Sequence, residues 1–274
     1  MDSPPNDLAR RIGVIAAASF MIIAALVGTG ALGGTPVQDL QNGALDTDGS
    51  YLAPAASAFS IWSVIYLGLI AYTVWQALPS QRTDARQRAL GWWIAATMVL
   101  NGLWLVTAQF LTLPLTVLMI AALTAVLALT FRRAVVVAPP VGWLDRLLID
   151  GVTGLHLGWV TLATAANTAA WLTQIVPADW EAAADVWGVA VLLAVAVIGV
   201  TIPAVTGRLA PGLALAWGLS WLAVARLTGE PSSTVIGITA LVVAIVVLAA
   251  GIIAAVRATR RTPSRTREGV AAAR

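Results

Sequence analysis

The sequence predicts an all-α, polytopic membrane protein: a helical bundle with eight transmembrane helices and both termini in the cytoplasm. Of its 274 residues, 59% are hydrophobic and 11% are charged, and the mean hydropathy is +0.86. Such a composition is typical of helical membrane proteins and argues against a soluble two-domain enzyme. Eight apolar runs are also each long enough to cross a bilayer, which takes about 20 helical residues.

The eight spans follow a polar tail at residues 1–11, which we expect to be cytoplasmic. The first apolar run is longer than a signal-peptide core and lacks a clear cleavage site, so we expect an uncleaved span. The acidic segment after the fifth span is expected to be a loop, and residues 257–274 are expected to form a disordered, basic cytoplasmic tail. The predicted spans are 12–32, 54–78, 91–111, 114–131, 147–174, 186–205, 211–228 and 233–256.

The arginines predict the orientation, because short cytoplasmic loops carry an excess of basic residues. With the N-terminus inside, 15 of the 16 arginines fall on the cytoplasmic side, whereas the acidic segments around Asp46 and Glu181 fall outside. Arg226 is left over, and we expect it to snorkel to the outer surface beside Glu230, one helical turn away. All basic residues are Arg and none is Lys, which suggests a GC-rich bacterial genome and hence a bacterial inner membrane.

The sequence lacks the residues and motifs that several kinds of catalytic and binding site require. There is no Cys and a single His, so disulfides, thiolate nucleophiles and a convergent metal site are not expected. No phosphate-binding loop, nucleophile elbow or carboxylate pair is recognisable. The basic tail is interpreted as a topology signal and not as a nucleic-acid-binding segment. The sequence therefore predicts no enzymatic activity, no metal, no required cofactor and no nucleic-acid partner.

The fifth span carries polar and aromatic residues where lipid would favour Leu. At helical spacing they share a sector of about 120° on one face. Polar groups inside a membrane face a bundle interior or a cavity, so this face is the first candidate for function. The stripe comprises His156, Trp159, Ala163, Asn167 and Trp171.

Two other spans present similar faces. Packed together, the three faces would line a pocket with aromatic walls and a few amides, which suits a flat, largely apolar ligand such as a tetrapyrrole. The added residues are Phe59, Trp62 and Tyr66 on the second span and Asn101 and Trp104 on the third.

These patterns resemble the TspO/MBR family, also called translocator proteins or tryptophan-rich sensory proteins. The family's second helix has Trp, then Tyr and a small residue, matched by Trp62, Tyr66 and Gly68. Its third helix has Asn and Trp three residues apart, matched by Asn101 and Trp104. Its fifth-helix pattern is matched by Trp159, Ala163, Thr164, Asn167 and Trp171.

The resemblance covers residues 12–174, a five-helix bundle, and leaves 175–256 as an additional three-helix segment. It implies a membrane sensor or carrier that binds porphyrin or a haem-related ligand, and frequent homodimers. Light-dependent porphyrin breakdown is attributed to some members. The animal sterol motif is absent, since no Arg follows Trp171 until Arg208.

Alternatives remain open at this stage. A proton- or ion-coupled small-molecule transporter would use Asp150 and His156, and a packed core without a ligand would indicate a scaffold subunit. His156 is either a haem ligand or gate, or a group hydrogen-bonded to a neighbouring helix. Asp150 is either a proton relay or the partner of Arg146 in a local i, i+4 ion pair. The last three helices could cover the bundle, replace a dimer partner or form a second site.

Overall fold

The computed structural model describes residues 5–136, 140, 142–177 and 179–261. These residues contain helices and loops but no strand, which confirms the all-α fold class, and eight helices are long and apolar enough to span a membrane. The orientation of the termini stays a prediction. The eight helices are α1 (Pro5–Gly28), α2 (Ile61–Ala77), α3 (Ala85–Phe110), α4 (Leu113–Val136), α5 (Trp143–Ile175), α6 (Ala184–Thr206), α7 (Ala210–Thr228) and α8 (Thr234–Arg261).

Several helix ends lie outside the predicted limits. Helix α1 includes polar residues of the predicted tail because Asp7 forms an ion pair with Arg88 of α3 at 2.6 Å. Helix α3 begins six residues early because the side chain of Asp84 caps it, accepting a hydrogen bond from the backbone N–H of Gln87 at 2.9 Å. The predicted loop after α5 contains a short helix, Asp179–Ala182.

The predicted C-terminal tail starts later than expected, because α8 continues to Arg261. The remainder of that predicted tail, residues 262–274, and the first four residues of the chain lie outside the described residues.

The first five helices form a ring in the order α1, α3, α4, α5, α2, each packed against the next, and α2 closes the ring against α1. The ring encloses the larger hydrophobic core. Outside it, α7 packs against α5, and α8 packs against both α7 and α6 around a second core. Helix α5 therefore belongs to both parts of the molecule.

Two glycines bring α5 and α7 together. A Cβ added to Gly158 would overlap the backbone carbonyl oxygen of Pro211, and one added to Gly154 would lie 2.9 Å from the Cβ of Ala210. The two glycines are four residues apart, the small-xxx-small spacing that lets membrane helices approach closely. Each is two residues from His156, about 160° around the helix, so this glycine face is opposite the polar stripe.

A charged cluster joins the two parts at the end of the bundle that carries the termini. The carboxylate of Asp150 forms ion pairs with Arg86 of α3 at 2.6 Å and with Arg208 of the α6–α7 loop at 2.9 Å. The predicted local pair with Arg146 is wrong. Asp150 is buried in a π-helical turn, Arg146–Gly151, where arginines of other elements reach it, whereas Arg146 is exposed.

The prediction for Arg226 is also wrong. Its side chain does not reach the surface, since the residue is only 1% exposed. Two loops fold over the guanidinium, which has five N–H donors, and they supply oxygen acceptors that make burial tolerable. Its nitrogens donate to the backbone carbonyls of Thr47, Ser50, Glu230 and Pro231.

Candidate functional site

Aromatic side chains from three helices meet inside the five-helix ring. A 3₁₀ turn, Ala56–Ser60, places Phe59 just before α2. The ring centroids of Trp62 and Trp104 are 5.5 Å apart, and those of Phe59 and Trp159 are 5.6 Å apart. Both pairs pack edge to face, a favourable geometry that also holds each ring in place. Helices α2, α3 and α5 therefore bring the predicted aromatic residues together.

A chain of polar groups crosses the same three helices. The Tyr66 hydroxyl donates to Oδ1 of Asn101 at 3.3 Å, and the Asn101 amide nitrogen lies 3.4 Å from Nε2 of His156. Because the amide nitrogen can only donate, Nε2 is the acceptor, and the proton of the neutral imidazole is on Nδ1. His156 is thus hydrogen-bonded to a neighbouring helix, one of the two roles expected for it.

A second bridge joins α3 to α5. The Trp104 indole N–H donates to Oδ1 of Asn167 at 3.2 Å, and the Asn167 amide nitrogen donates to the carbonyl oxygen of Ala163 at 2.9 Å. Both functional groups of the Asn167 amide therefore already have a protein partner.

The space around these side chains is divided into three cavities. A small inner cavity of about 10 Å³ lies beside Asn101 and His156. A second, of about 40 Å³, lies beneath the α1–α2 loop, and a third, of about 480 Å³, opens between α1 and α2. Trp62 lines all three, and Phe59 lines the second and third, so these two side chains partition the space.

Nine of the ten predicted site residues line at least one of these cavities. The exception is Trp171, which is partly exposed one turn beyond Asn167 and lines none of the three. The cavity beneath the loop, hereafter the loop-covered cavity, is lined by six of them: Phe59, Trp62, Trp104, Trp159, Ala163 and Asn167.

Three buried nitrogen atoms in this cluster have no hydrogen-bonding partner among the described residues. They are Nε1 of Trp62, Nε1 of Trp159 and Nδ1 of His156. Buried polar groups are nearly always hydrogen-bonded in proteins, so three unpartnered nitrogens on adjoining cavities are unusual. An acceptor group on a bound ligand would satisfy the two indole N–H groups.

Sequence reasoning missed the contribution of α7 to this site. The Trp217 indole N–H donates to the carbonyl oxygen of Ala58 at 3.0 Å, and the backbone N–H of Ala55 donates to the carbonyl oxygen of Trp221 at 3.2 Å. Gly218 lies between these tryptophans, and its missing side chain leaves room for Leu162 and for the ring of Trp159. The spacing of Trp217 and Trp221 put them on one face of α7, but nothing in the sequence indicated what that face contacts.

The α1–α2 loop was likewise not expected to take part. It covers the aromatic cluster, and its apolar residues complete the wall of the loop-covered cavity: Val37, Ala44, Leu45, Ala53 and Pro54.

Comparison with known proteins gives a family match. A family model described as TSPO-like protein matches residues 11–253. The match extends beyond the first five helices and through most of α8, so the last three helices are included in it. No curated protein and no solved structure shows a significant match to the chain.

Proposed function

The chain belongs to the TSPO-like protein family, and its eight apolar helices make it a multi-pass membrane protein. On this basis we propose that it binds a flat hydrophobic ring compound. The proposed ligand is a porphyrin or a related tetrapyrrole, and the proposed role is that of a sensor or carrier in a bacterial inner membrane. The proposed binding site is the loop-covered cavity.

The observation that carries this proposal is the convergence of three indoles from α2, α3 and α5 on one enclosed cavity. Trp62, Trp104 and Trp159 all line it, and the N–H groups of Trp62 and Trp159 are unpartnered. Indole faces and edges suit a flat conjugated ring, and the free N–H groups suit acceptors such as porphyrin carboxylates. The loop-covered cavity itself has a volume of only about 40 Å³, whereas the adjoining space between α1 and α2, of about 480 Å³, falls within the usual range for small-molecule sites, about 300–1000 Å³.

The opening between α1 and α2 supports a lateral path for such a ligand. Its lining is mainly apolar, and it reaches Phe59 and Trp62, which also line the loop-covered cavity. An apolar compound dissolved in the bilayer would therefore meet these two side chains before entering. Rotation of one or both rings would join the two spaces.

The ion-coupled transporter is less well supported. It required Asp150 as a titrating group, but each of the two carboxylate oxygens of this residue contacts an arginine. Asp150 therefore joins α5 to α3 and to the α6–α7 loop within a buried ion-pair cluster, which suits a structural role better than a proton relay.

The test is titration of the purified full chain in detergent with protoporphyrin IX, followed by the absorbance of the porphyrin. Absorbance of the ligand is preferable to tryptophan emission because the variants change the number of indoles. We expect saturable binding that Trp159→Phe weakens about three- to tenfold, the cost of one hydrogen bond, together with some lost ring contact.

The matched control is Trp143→Phe, the same substitution at a residue that is 70% exposed at the start of α5, about four helical turns from Trp159. It should leave the affinity unchanged. Absence of saturable binding, or equal weakening by both substitutions, would overturn the proposal.

A further inference from the structure

A further cleft, apart from the three cavities described above, lies at the loop end of the bundle, opposite the termini. The α1–α2, α5–α6 and α7–α8 loops meet there. The cleft is separate from the porphyrin site proposed above, although Ser50 lines both spaces. The cleft has a volume of about 180 Å³. We call it the loop-end cleft; its main lining residues are Asp48, Ser50, Tyr51, Trp180, Glu181 and Trp187.

Three aromatic rings form one wall of the loop-end cleft. The indoles of Trp180 and Trp187 are stacked, with centroids 5.8 Å apart and planes 14° apart, and Tyr51 packs edge-on against Trp187 at 6.2 Å. The Trp187 N–H donates to the carbonyl oxygen of Trp180 at 3.1 Å, which fixes the pair. Trp180 is still 39% exposed, so part of its indole is available to a ligand.

The charge around the cleft is predominantly negative. Asp48 and Glu181 line it directly. Burial raises the pKa of the Tyr51 phenol, and the carboxylates of Glu181 and Asp185 raise it further, against an opposing effect of Arg226. Arg226 offsets part of this field, but its guanidinium is buried beneath the loops on backbone carbonyls.

One buried polar atom on the cleft is also unsatisfied. Ser50 is 2% exposed, and its hydroxyl has no hydrogen-bonding partner among the described residues. An unsatisfied buried hydroxyl is costly unless something else completes its hydrogen bonding, so it points to a polar group of a ligand.

We propose that the loop-end cleft binds a small organic cation that carries a hydroxyl or similar polar group, of the quaternary ammonium class. Aromatic rings attract such cations through the negative charge of their faces, and the carboxylates add a longer-range attraction. A bare metal ion fits less well, because no group of three or more acidic or His side chains able to hold a metal occurs in the described part of the chain.

The experiment is calorimetric titration of the purified full chain with choline and, in parallel, with 3,3-dimethylbutan-1-ol. The second compound has the same shape and hydroxyl group but no charge. We expect saturable binding of choline and at least tenfold weaker binding of the neutral compound. Choline affinity should also fall as salt is added, because the acidic rim is exposed to solvent.

Two substitutions locate the site. Trp180→Leu should weaken choline binding about fivefold or more, the cost of one cation–π contact, and Glu181→Gln should weaken it less and reduce the salt dependence. Trp143→Leu, the same change at an exposed indole at the opposite end of the protein, should have no effect.

No saturable binding of choline, or equal affinity for the two compounds, would refute the proposal. The same holds if Glu181→Gln and Trp180→Leu leave choline binding unchanged. Thermal unfolding of the same samples in detergent reports whether Trp180→Leu is folded, and if it is not, Glu181→Gln decides. Because the two ligands are measured separately, failure here is distinguishable from failure of the porphyrin proposal.

Discussion

The two faces of α5 differ in how closely they pack against their neighbours. The face toward the ring carries His156, Trp159 and Asn167, whose large side chains leave cavities between helices and buried nitrogens without partners. The face toward α7 carries Gly154 and Gly158, where the two backbones are in direct contact. One helix therefore supports an open, polar interior on one side and a tight interface on the other.

This difference assigns separate roles to the two parts of the protein. Bulky aromatic residues keep space available inside the ring, and small residues attach the last three helices to it. The separation is not complete. Gly218 of α7 lies against the ring of Trp159, and the Trp217 indole donates to the carbonyl oxygen of Ala58, next to Phe59. The attached segment thus braces the outer wall of the proposed ligand site. Substitutions on each face should accordingly damage different properties.

Gly158→Ala should have the largest effect on stability. The new Cβ would overlap the carbonyl oxygen of Pro211, which is backbone and cannot turn aside, so α5 and α7 must separate. Overpacking of this kind typically costs about 1–3 kcal/mol, and a backbone clash is expected to reach or exceed the upper end. Thermal unfolding of the purified protein in detergent should show a markedly lower midpoint.

Gly218→Ala provides the control for that experiment. Its Cβ would lie 2.6 Å from a terminal methyl group of Leu162, which can change rotamer. A loss at Gly218 as large as that at Gly158 would contradict the assignment of the tight interface to the glycine face of α5.

Asp150→Asn should cause the second-largest loss of stability. Asp150 joins the two parts at the end of α5, and its removal would leave the charge of Arg86 buried with a weaker partner, Asp145 at 3.5 Å. Breaking a buried pair by removing one charge typically costs about 3–5 kcal/mol, and we expect a smaller loss, about 2 kcal/mol, because Arg86 keeps Asp145 and Arg208 is 31% exposed. Thermal unfolding should show the loss, whereas Asp39→Asn, on an exposed loop residue, should show none.

Trp104→Phe should reduce stability less than either of these substitutions. It acts on the ring-facing side of α5, through the contact of Trp104 with Asn167. It removes the indole hydrogen bond to Asn167 while keeping an aromatic ring in the wall of the loop-covered cavity. The expected loss of stability is about 1 kcal/mol, with weaker protoporphyrin IX binding. Trp92→Phe, at an indole that is 50% exposed, is the control. Unchanged porphyrin affinity in Trp104→Phe would argue against that cavity as the binding site.

The apolar runs of the sequence predicted the eight spans. Helical periodicity predicted that polar faces of three spans would meet, because it places Trp159 and Asn167 on the same side of α5. It was not sufficient for the helix ends, which depend on contacts between distant segments such as Asp7 with Arg88. The partition of the pocket by Phe59 and Trp62 depends on side-chain rotamers, which periodicity does not determine.

The two arginine corrections have one physical cause. Spacing along the chain favoured Arg146 as the partner of Asp150 and the Glu230 carboxylate as the partner of Arg226. Asp150 instead pairs with arginines of other elements, and among the described residues Arg226 donates only to backbone carbonyls, because burial favours whichever donors and acceptors lie nearest in space. The glycine face of α5 was different, since Gly154 and Gly158 show the small-xxx-small spacing in the sequence itself. That signal could have predicted the docking of the last three helices.

Trp171→Phe should have the smallest effect. Trp171 belongs to the same stripe as Trp159, so the sequence placed both in the pocket, but it lines none of the three cavities around the aromatic cluster. Protoporphyrin IX affinity should therefore change by less than about twofold, within the usual effect of a peripheral aromatic substitution, whereas Trp159→Phe weakens it three- to tenfold, about 0.6–1.4 kcal/mol. If Trp171→Phe reduced the affinity as much as Trp159→Phe, the ligand would have to extend along the whole stripe toward the loop end, beyond the loop-covered cavity.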